Sequence, residues 1–189
     1  FISTGYFNSI INNKPFDSNN NIIPWMNYNI VNFLKERLKN DMLMFEYGSG
    51  FSTIFYAKRV KKVISVEHDS NYFNYFKDKY PSNADIIQRS YHLNDSENYH
   101  LSILDYHIKF DVIVVDGRDR VNCLKTSLKR LSDDGIIILD DSSRPRYKEA
   151  FDYLDLKGFK NLTFSGLKST GRKEDASSIF YRSNNCFNI

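Results

Sequence analysis

Short apolar runs alternate with amphipathic stretches along this chain, and that alternation predicts most of its elements. Residues 42–45 form a short apolar run without a helical period, which suits a strand buried on both faces, and strands are also expected at 63–66, 84–89, 110–115 and 136–139. Between residues 25 and 39, Met26, Ile30, Phe33, Leu34 and Leu38 recur at three- and four-residue spacing, so a helix is expected there, broken by Asn40-Asp41. Further helices are expected from Ser52 or Thr53 onward, over 70–80 with Tyr72, Phe73 and Phe76 inward and Pro81 as its stop, over 121–131, and over 145–157 before Gly158. Asp133-Asp134-Gly135 reads as a turn, and two last strands, 159–166 and 177–182, flank a polar loop. Residues 91–109 read as polar and partly helical, and the turn-rich residues 1–24 as a loose entry segment. The pattern predicts a doubly wound α/β sheet with helices on both faces. One domain over 1–189 is expected, with an N-terminal segment and helix in 1–40 and the Rossmann-like core in 41–189.

The stretch from 42 to 69 carries the clearest chemistry. Its first strand runs into Gly48-Ser49-Gly50, where the lack of a Cβ allows a tight turn and close approach to a ligand at a helix start. A dinucleotide fingerprint would have a third glycine at position 53, and the chain has Thr53. Glu46, two residues before Gly48, would repel a diphosphate but hold a cationic amino group. Glu67 ends the second strand, 17 residues after Gly50, where a carboxylate takes both hydroxyls of a ribose. An amino-acid moiety joined to a ribose points to S-adenosylmethionine.

These residues, Glu46-Tyr47-Gly48-Ser49-Gly50 with Ser52-Thr53 and Glu67, resemble motif I and its companion acidic site in class I S-adenosylmethionine-dependent methyltransferases. The resemblance implies a seven-stranded mixed sheet in the order 3-2-1-4-5-7-6, its last strand antiparallel. It places Glu46, Tyr47, Gly48, Ser49, Gly50, Ser52, Thr53, Glu67, His68 and Asp116 around the cofactor, with His68 beside the adenine. Many such enzymes reach the adenine amino group with an acidic residue after the third strand; here Ser90 stands in that region. Ile23-Pro24-Trp25-Met26, Val115 to Arg120 and Ser178 to Arg182 extend the resemblance to small bacterial methyltransferase-like proteins of unassigned substrate, often associated with surface-polysaccharide genes. Trp25 reads either as a cover over the cofactor or as a core aromatic.

Composition narrows the alternatives. Hydrophobic residues make up 41% and charged residues 26%, and no apolar run has the length of a membrane span, so a cytoplasmic protein is expected. The net charge of +3 comes from dispersed residues and leaves no nucleic-acid footprint. Cys123 and Cys186 lack metal-type spacing and read as unpaired structural thiols. Pro15, Pro24, Pro81 and Pro145 include no adjacent pair, and neither cysteine follows a proline, which argues against base methylation through a Pro-Pro or Pro-Cys loop.

Ligands of open α/β sheets bind at the carboxyl ends of the strands, so Asp116 and Asp140-Asp141 are expected beside the glycine loop as the catalytic carboxylates. The cluster resembles that of catechol-type O-methyltransferases, where an Asp-Asn pair after the fifth strand helps hold magnesium. Asp141 replaces that asparagine, so a divalent metal is possible but not favoured. The expected reaction is O-methylation of a small polar acceptor such as a sugar, with a carboxylate or a nearby histidine taking the proton, His92 or His107 if the 91–109 segment folds over the pocket. His100, the remaining histidine, lies in the same stretch as His92 and His107. The alternatives are a non-catalytic S-adenosylmethionine- or partner-binding protein on this fold and, less favoured, an NAD-dependent oxidoreductase.

Overall fold

The computed structural model describes residues 4–91, 96–171 and 174–189. The elements run α1 (Tyr6–Asn12), α2 (Tyr28–Arg37), β1 (Leu43–Tyr47), α3 (Phe51–Ala57), β2 (Lys62–Glu67), α4 (Ser70–Phe76), β3 (Ala84–Gln88), α5 (Ser96–Leu101), β4 (Phe110–Val115), α6 (Arg120–Ser127), β5 (Leu131–Leu139), α7 (Lys148–Leu156), β6 (Lys160–Leu167) and β7 (Glu174–Tyr181). All seven strands form one sheet in the order β3-β2-β1-β4-β5-β7-β6, with β7 antiparallel to both of its neighbours. This is the order and hand of pairing expected.

Strand alternation divides the core between the two faces. Met44, Val63, Val112, Val114, Ile136 and Ile138 pack beneath α2 and α3, against Ile30, Val31, Leu34, Phe55 and Tyr56. Phe45, Tyr47, Ile64, Val66, Ile113, Val115, Ile137 and Leu139 face Tyr99, Cys123, Leu124, Ala150 and Leu154 of α5, α6 and α7. Each fully buried aliphatic or aromatic side chain of these rows contributes about 1.5–3 kcal/mol of hydrophobic stabilisation before the entropy of ordering is subtracted.

Register determines what reaches the edge of the sheet. Tyr47 pairs with Val66 on one side and Val115 on the other, and Val115 pairs with Leu139. These four residues form one row, so the next residue of each strand, namely Gly48, Glu67, Asp116 and Asp140, stands on a common rim.

Several expected elements shift at their ends, the helices over 70–80 and 121–131 stopping at Phe76 and Ser127, and two segments differ in kind. Residues 6–12 form α1 rather than loose chain, because Ser9 is fully buried and bonds Gly5 O and Phe16 O, anchoring a short helix. Asp133-Asp134-Gly135 does not turn the chain but lies inside β5, which begins at Leu131. The shift in register between Phe110 and Val112 absorbs it: Phe110 pairs with Leu131 and Val112 with Ile136. Among the described residues, no helix is long and apolar enough to cross a membrane.

Candidate active site

The rim opens into a cleft of about 390 Å³ lined by Trp25, Gly48, Ser49, Ser52, Glu67, His68, Asp69, Tyr72, Asp116, Gly117, Arg118, Asp140 and Lys168. Its floor is the glycine turn. Gly48 has φ +97°, and a Cβ there would lie 3.2 Å from the Asp116 carbonyl carbon and from Gly117 N, so the loops after β1 and β4 touch through bare backbone. Gly50 has φ +143°, and a Cβ there would meet the Tyr72 hydroxyl at 2.6 Å. Trp25 is 40% exposed and packs edge-on to Phe51, which puts it at the mouth of the cleft and outside the core.

Glu46 is withdrawn from the cleft. It is fully buried on the α3 face, where its carboxylate accepts bonds from Ser52 Oγ, from Thr53 Oγ1 (2.6 Å) and from Ser65 Oγ (2.6 Å). Thr53 in turn accepts from Gly50 N at 3.0 Å. These bonds form a bracket that fixes the glycine turn onto α3, and Glu46 is not among the residues that line the cleft. Burial raises the Glu46 carboxyl to about 7 although the three hydroxyls oppose it, with nearby Glu67 adding a smaller push upward. The Tyr47 side chain also turns away: it is fully buried on the opposite face and donates to His100 O at 2.7 Å, leaving only its backbone near the turn. Thr53 and Gly50 likewise support the loop without lining the cleft.

Glu67 is at the rim, 3% exposed. Its Oε2 accepts from Ser49 N and Ser49 Oγ, both at 3.0 Å, and its Oε1 from the backbone of His68 and Asp69, both at 2.9 Å. Burial alone would raise this carboxyl, but bonds from His68, Asp69 and Ser49 outweigh it and hold the carboxyl below the usual range. His68 Nε2 accepts from Arg118 Nε at 3.1 Å, and His68 Nδ1 lies 3.0 Å from Glu67 Oε1. Ser90, expected near the adenine, is exposed and lines a separate cavity with Arg89, Ser102 and Asp105.

At the other end of the cleft three carboxylates converge. Asp116, Asp140 and Asp141 each offer an oxygen within 4.8 Å of the others. Three cations meet them. Lys168 Nζ lies 3.0 Å from Asp140 Oδ2 and also pairs with Asp141. Arg120 Nη2 lies 2.9 Å from Asp116 Oδ1 and 3.3 Å from Asp141 Oδ2, and Arg144 closes on the same Asp141 oxygen. Arg120 also donates to the Asp140, Asp116 and Gly117 carbonyls, fastening the tips of β4 and β5 together.

The surroundings separate the three acids. Desolvation, and then the neighbouring Asp140, push the Asp116 carboxyl well above its ordinary range despite Arg120. Asp141 is desolvated too, yet bonds from Asp175 and Lys168 and the charge of Arg120 hold it well below. It occupies the left-handed region at φ +51°, which aims it at the cations and away from the cleft lining. Asp140 Oδ1 accepts from Ser177 Oγ at 2.6 Å, and its side chain is 1% exposed.

No sequence pattern marks Arg118 or Arg120 for a role, and Lys168 has its partners 27 and 28 residues away with no local pattern to announce them. Among the described histidines, only His68 lines the cleft: His100 pairs with Asp119 and His107 is exposed, while His92 lies outside the described residues.

Residues 45–142, just over half the chain, match the family model described as a methyltransferase domain. The chain belongs to that family, the class I S-adenosylmethionine-dependent methyltransferases. Solved structures share the fold at low identity. An rRNA methylase from Streptococcus thermophilus is 14% identical with a TM-score of 0.59, over 80% of this chain and 92% of that one. An O-methyltransferase of tomaymycin synthesis from Streptomyces achromogenes, in complex with SAM, is 14% identical with a TM-score of 0.59, over 79% and 77%. A methyltransferase of Streptococcus mutans in complex with SAH is 15% identical with a TM-score of 0.55, over 79% and 94%. No curated protein sequence matches the chain.

Proposed function

We propose that the chain O-methylates a small polar acceptor such as a sugar, with Asp116 receiving the acceptor proton and Asp140 orienting the hydroxyl. The observation that carries the reading is the shared rim: Gly48, Glu67, Asp116 and Asp140 line one cleft. The residues present fit S-adenosylmethionine. The bare backbone at Gly48 and Gly117 provides the close approach, and Glu67 the carboxylate for a ribose diol. All four acceptor positions of Glu67 are used within the protein, so a ribose hydroxyl takes the place of the Ser49 hydroxyl, which Tyr80 also holds at 3.1 Å. His68 then borders the adenine side, and Trp25 covers the mouth.

When bound, the sulfonium supplies an electrophilic methyl carbon and leaves as a neutral thioether carrying the electron pair of the broken C–S bond. The protein aligns the acceptor oxygen with that carbon and takes up the proton released as the C–O bond forms. Asp116 suits this task because its raised affinity for a proton makes it a better base than an ordinary carboxylate. Lys168 does not compete for the role. The carboxylates around it hold it charged, despite the cost of burial, so it serves to orient Asp140. We propose the reaction without a metal, since Lys168, Arg120 and Arg144 already neutralise the three aspartates that would hold one.

Labelled S-adenosylmethionine offered with sugars, catechols, small amines and RNA tests the acceptor class. Label in a sugar or other small hydroxyl compound is expected. Label confined to RNA or amines would overturn the reading.

A further inference from the structure

A second cavity, of about 320 Å³, adjoins the cleft and shares Gly117 and Arg118 with it. Four guanidinium groups line it, those of Arg118, Arg120, Arg144 and Arg146. Two of them are spoken for: Arg120 pairs with Asp116 and Asp141, and Arg144 with Asp141. The one carboxylate in the lining, Asp119, is engaged by His100 Nδ1 at 3.1 Å and by Asn122 Nδ2 at 2.9 Å. Arg118 and Arg146 remain, and neither has a carboxylate at salt-bridge distance among the described residues. Arg118 Nε bonds His68, and Arg146 Nη2 bonds the Tyr147 hydroxyl at 2.9 Å while its guanidinium sits 4.9 Å from that ring. Both exposed side chains are thus oriented, and neither guanidinium is held in an ion pair among the described residues, although the charge of Arg118 acts on Asp69.

We propose that this pocket binds a phosphoryl group carried by the methyl acceptor, so that the substrate is a phosphorylated small molecule anchored beside the transfer site. The reading rests on the small-acceptor function above and specifies its substrate class. Guanidinium forks match tetrahedral oxyanions in two-bond geometry, and two without an ion-pair partner beside paired neighbours give a local positive field in a concave site. The position fits as well. Arg118 follows Asp116 by two residues, so an anion held there leaves the rest of the acceptor within reach of the cleft.

Calorimetry with inorganic pyrophosphate, in the presence of S-adenosylhomocysteine, tests the site without a known acceptor. Pyrophosphate is expected to bind, with Arg146→Gln and Arg118→Gln each weakening it by about tenfold, while Lys160→Gln, on the exposed surface elsewhere, changes it by less than about twofold. Arg146→Gln is expected to leave S-adenosylhomocysteine affinity within about twofold. Unchanged pyrophosphate affinity in both arginine variants, or equal loss in Lys160→Gln, overturns the proposal. So does a single-stranded RNA decamer that binds more tightly than pyrophosphate and depends on the same two arginines, because the anion would then be a nucleic-acid backbone. Failure of Asp116 as the base would appear in turnover and leave pyrophosphate binding intact, so the two readings fail separately.

Discussion

Lys168 Nζ lies 3.0 Å from Asp140 Oδ2, and this pair ties the turn after β6 to the tip of β5. Lys168 is itself fixed by a bridge to Asn27, and Asn27 Nδ2 reaches the same Ser177 hydroxyl that bonds Asp140. The entry to α2, the β6–β7 turn and a cleft carboxylate therefore form one connected unit. Lys168→Met should destabilise the fold by about 3 kcal/mol, because it leaves Asp140 buried without its cation. Adding Asp140→Asn should recover part of that loss. Urea unfolding of the single and double variants checks this, and a Lys168→Met loss below about 0.5 kcal/mol would show the pair to be idle.

The Glu46 bracket has a pH signature. Its carboxyl titrates near 7 in the folded chain, above its ordinary value of 4.5, so the folded state holds the proton more tightly than the unfolded state does. That stability is fully present below the unfolded value and is lost as pH rises through about 7. The loss amounts to about 3 kcal/mol, at about 1.4 kcal/mol for each pH unit of difference. Glu46→Gln has no such term. Relative to wild type, it should gain stability between pH 5 and pH 8, by up to about this amount. Parallel shifts of both proteins in urea unfolding at the two pH values would contradict the assignment.

Much of this arrangement was legible in the sequence, for a reason that can be stated in terms of register. Val66, Val115 and Leu139 are each the last apolar residue of a run, so the acidic residue that follows each run marks the rim. Glu67, Asp116 and Asp140 are legible that way, and Gly48 through its glycine turn. The side on which a residue points was harder to read. Glu46 and Tyr47 lie in the same motif as the glycines, yet strand alternation sends one beneath α3 and the other into the opposite core. Lys168, Arg120 and Arg144 act by long side chains reaching between loops, and no periodicity encodes such a reach. The start of β5 was obscured because Asp133-Asp134-Gly135 has the composition of a turn while the sheet absorbs it as an irregularity.

Asp116→Asn should lower turnover by about 10²–10⁴-fold if the aspartate is the base. The wild-type rate should rise with pH as Asp116 loses its proton, and the midpoint should lie above the ordinary carboxylate range, since desolvation and Asp140 raise it. That limb should vanish in Asp116→Asn. A pH profile of kcat/KM for the two proteins decides the point, and an unchanged limb would assign the proton to another group.

Gly50→Ala should disturb the loop in two ways: φ +143° disfavours any side chain, and the new Cβ would come within 2.6 Å of the Tyr72 hydroxyl. Tyr72→Phe should remove the nearest contact, leaving ring carbons at 3.0 and 3.1 Å, and should not relieve the backbone strain. A loss of about 1–3 kcal/mol in Gly50→Ala, only partly restored in the double variant, is the expected result of thermal or urea unfolding. Full restoration would mean that the backbone there is unstrained.

The claim on which the account rests is that the cleft between Gly48, Glu67 and Asp116 holds S-adenosylmethionine, and calorimetric titration addresses it most directly. S-adenosylhomocysteine should bind the wild-type chain and NAD should not. Glu67→Ala should weaken S-adenosylhomocysteine by at least about tenfold, or 1.4 kcal/mol, because it removes the ribose carboxylate and the anchor of Ser49 together. Binding of NAD in place of S-adenosylhomocysteine, or an affinity for S-adenosylhomocysteine indifferent to Glu67, would contradict it.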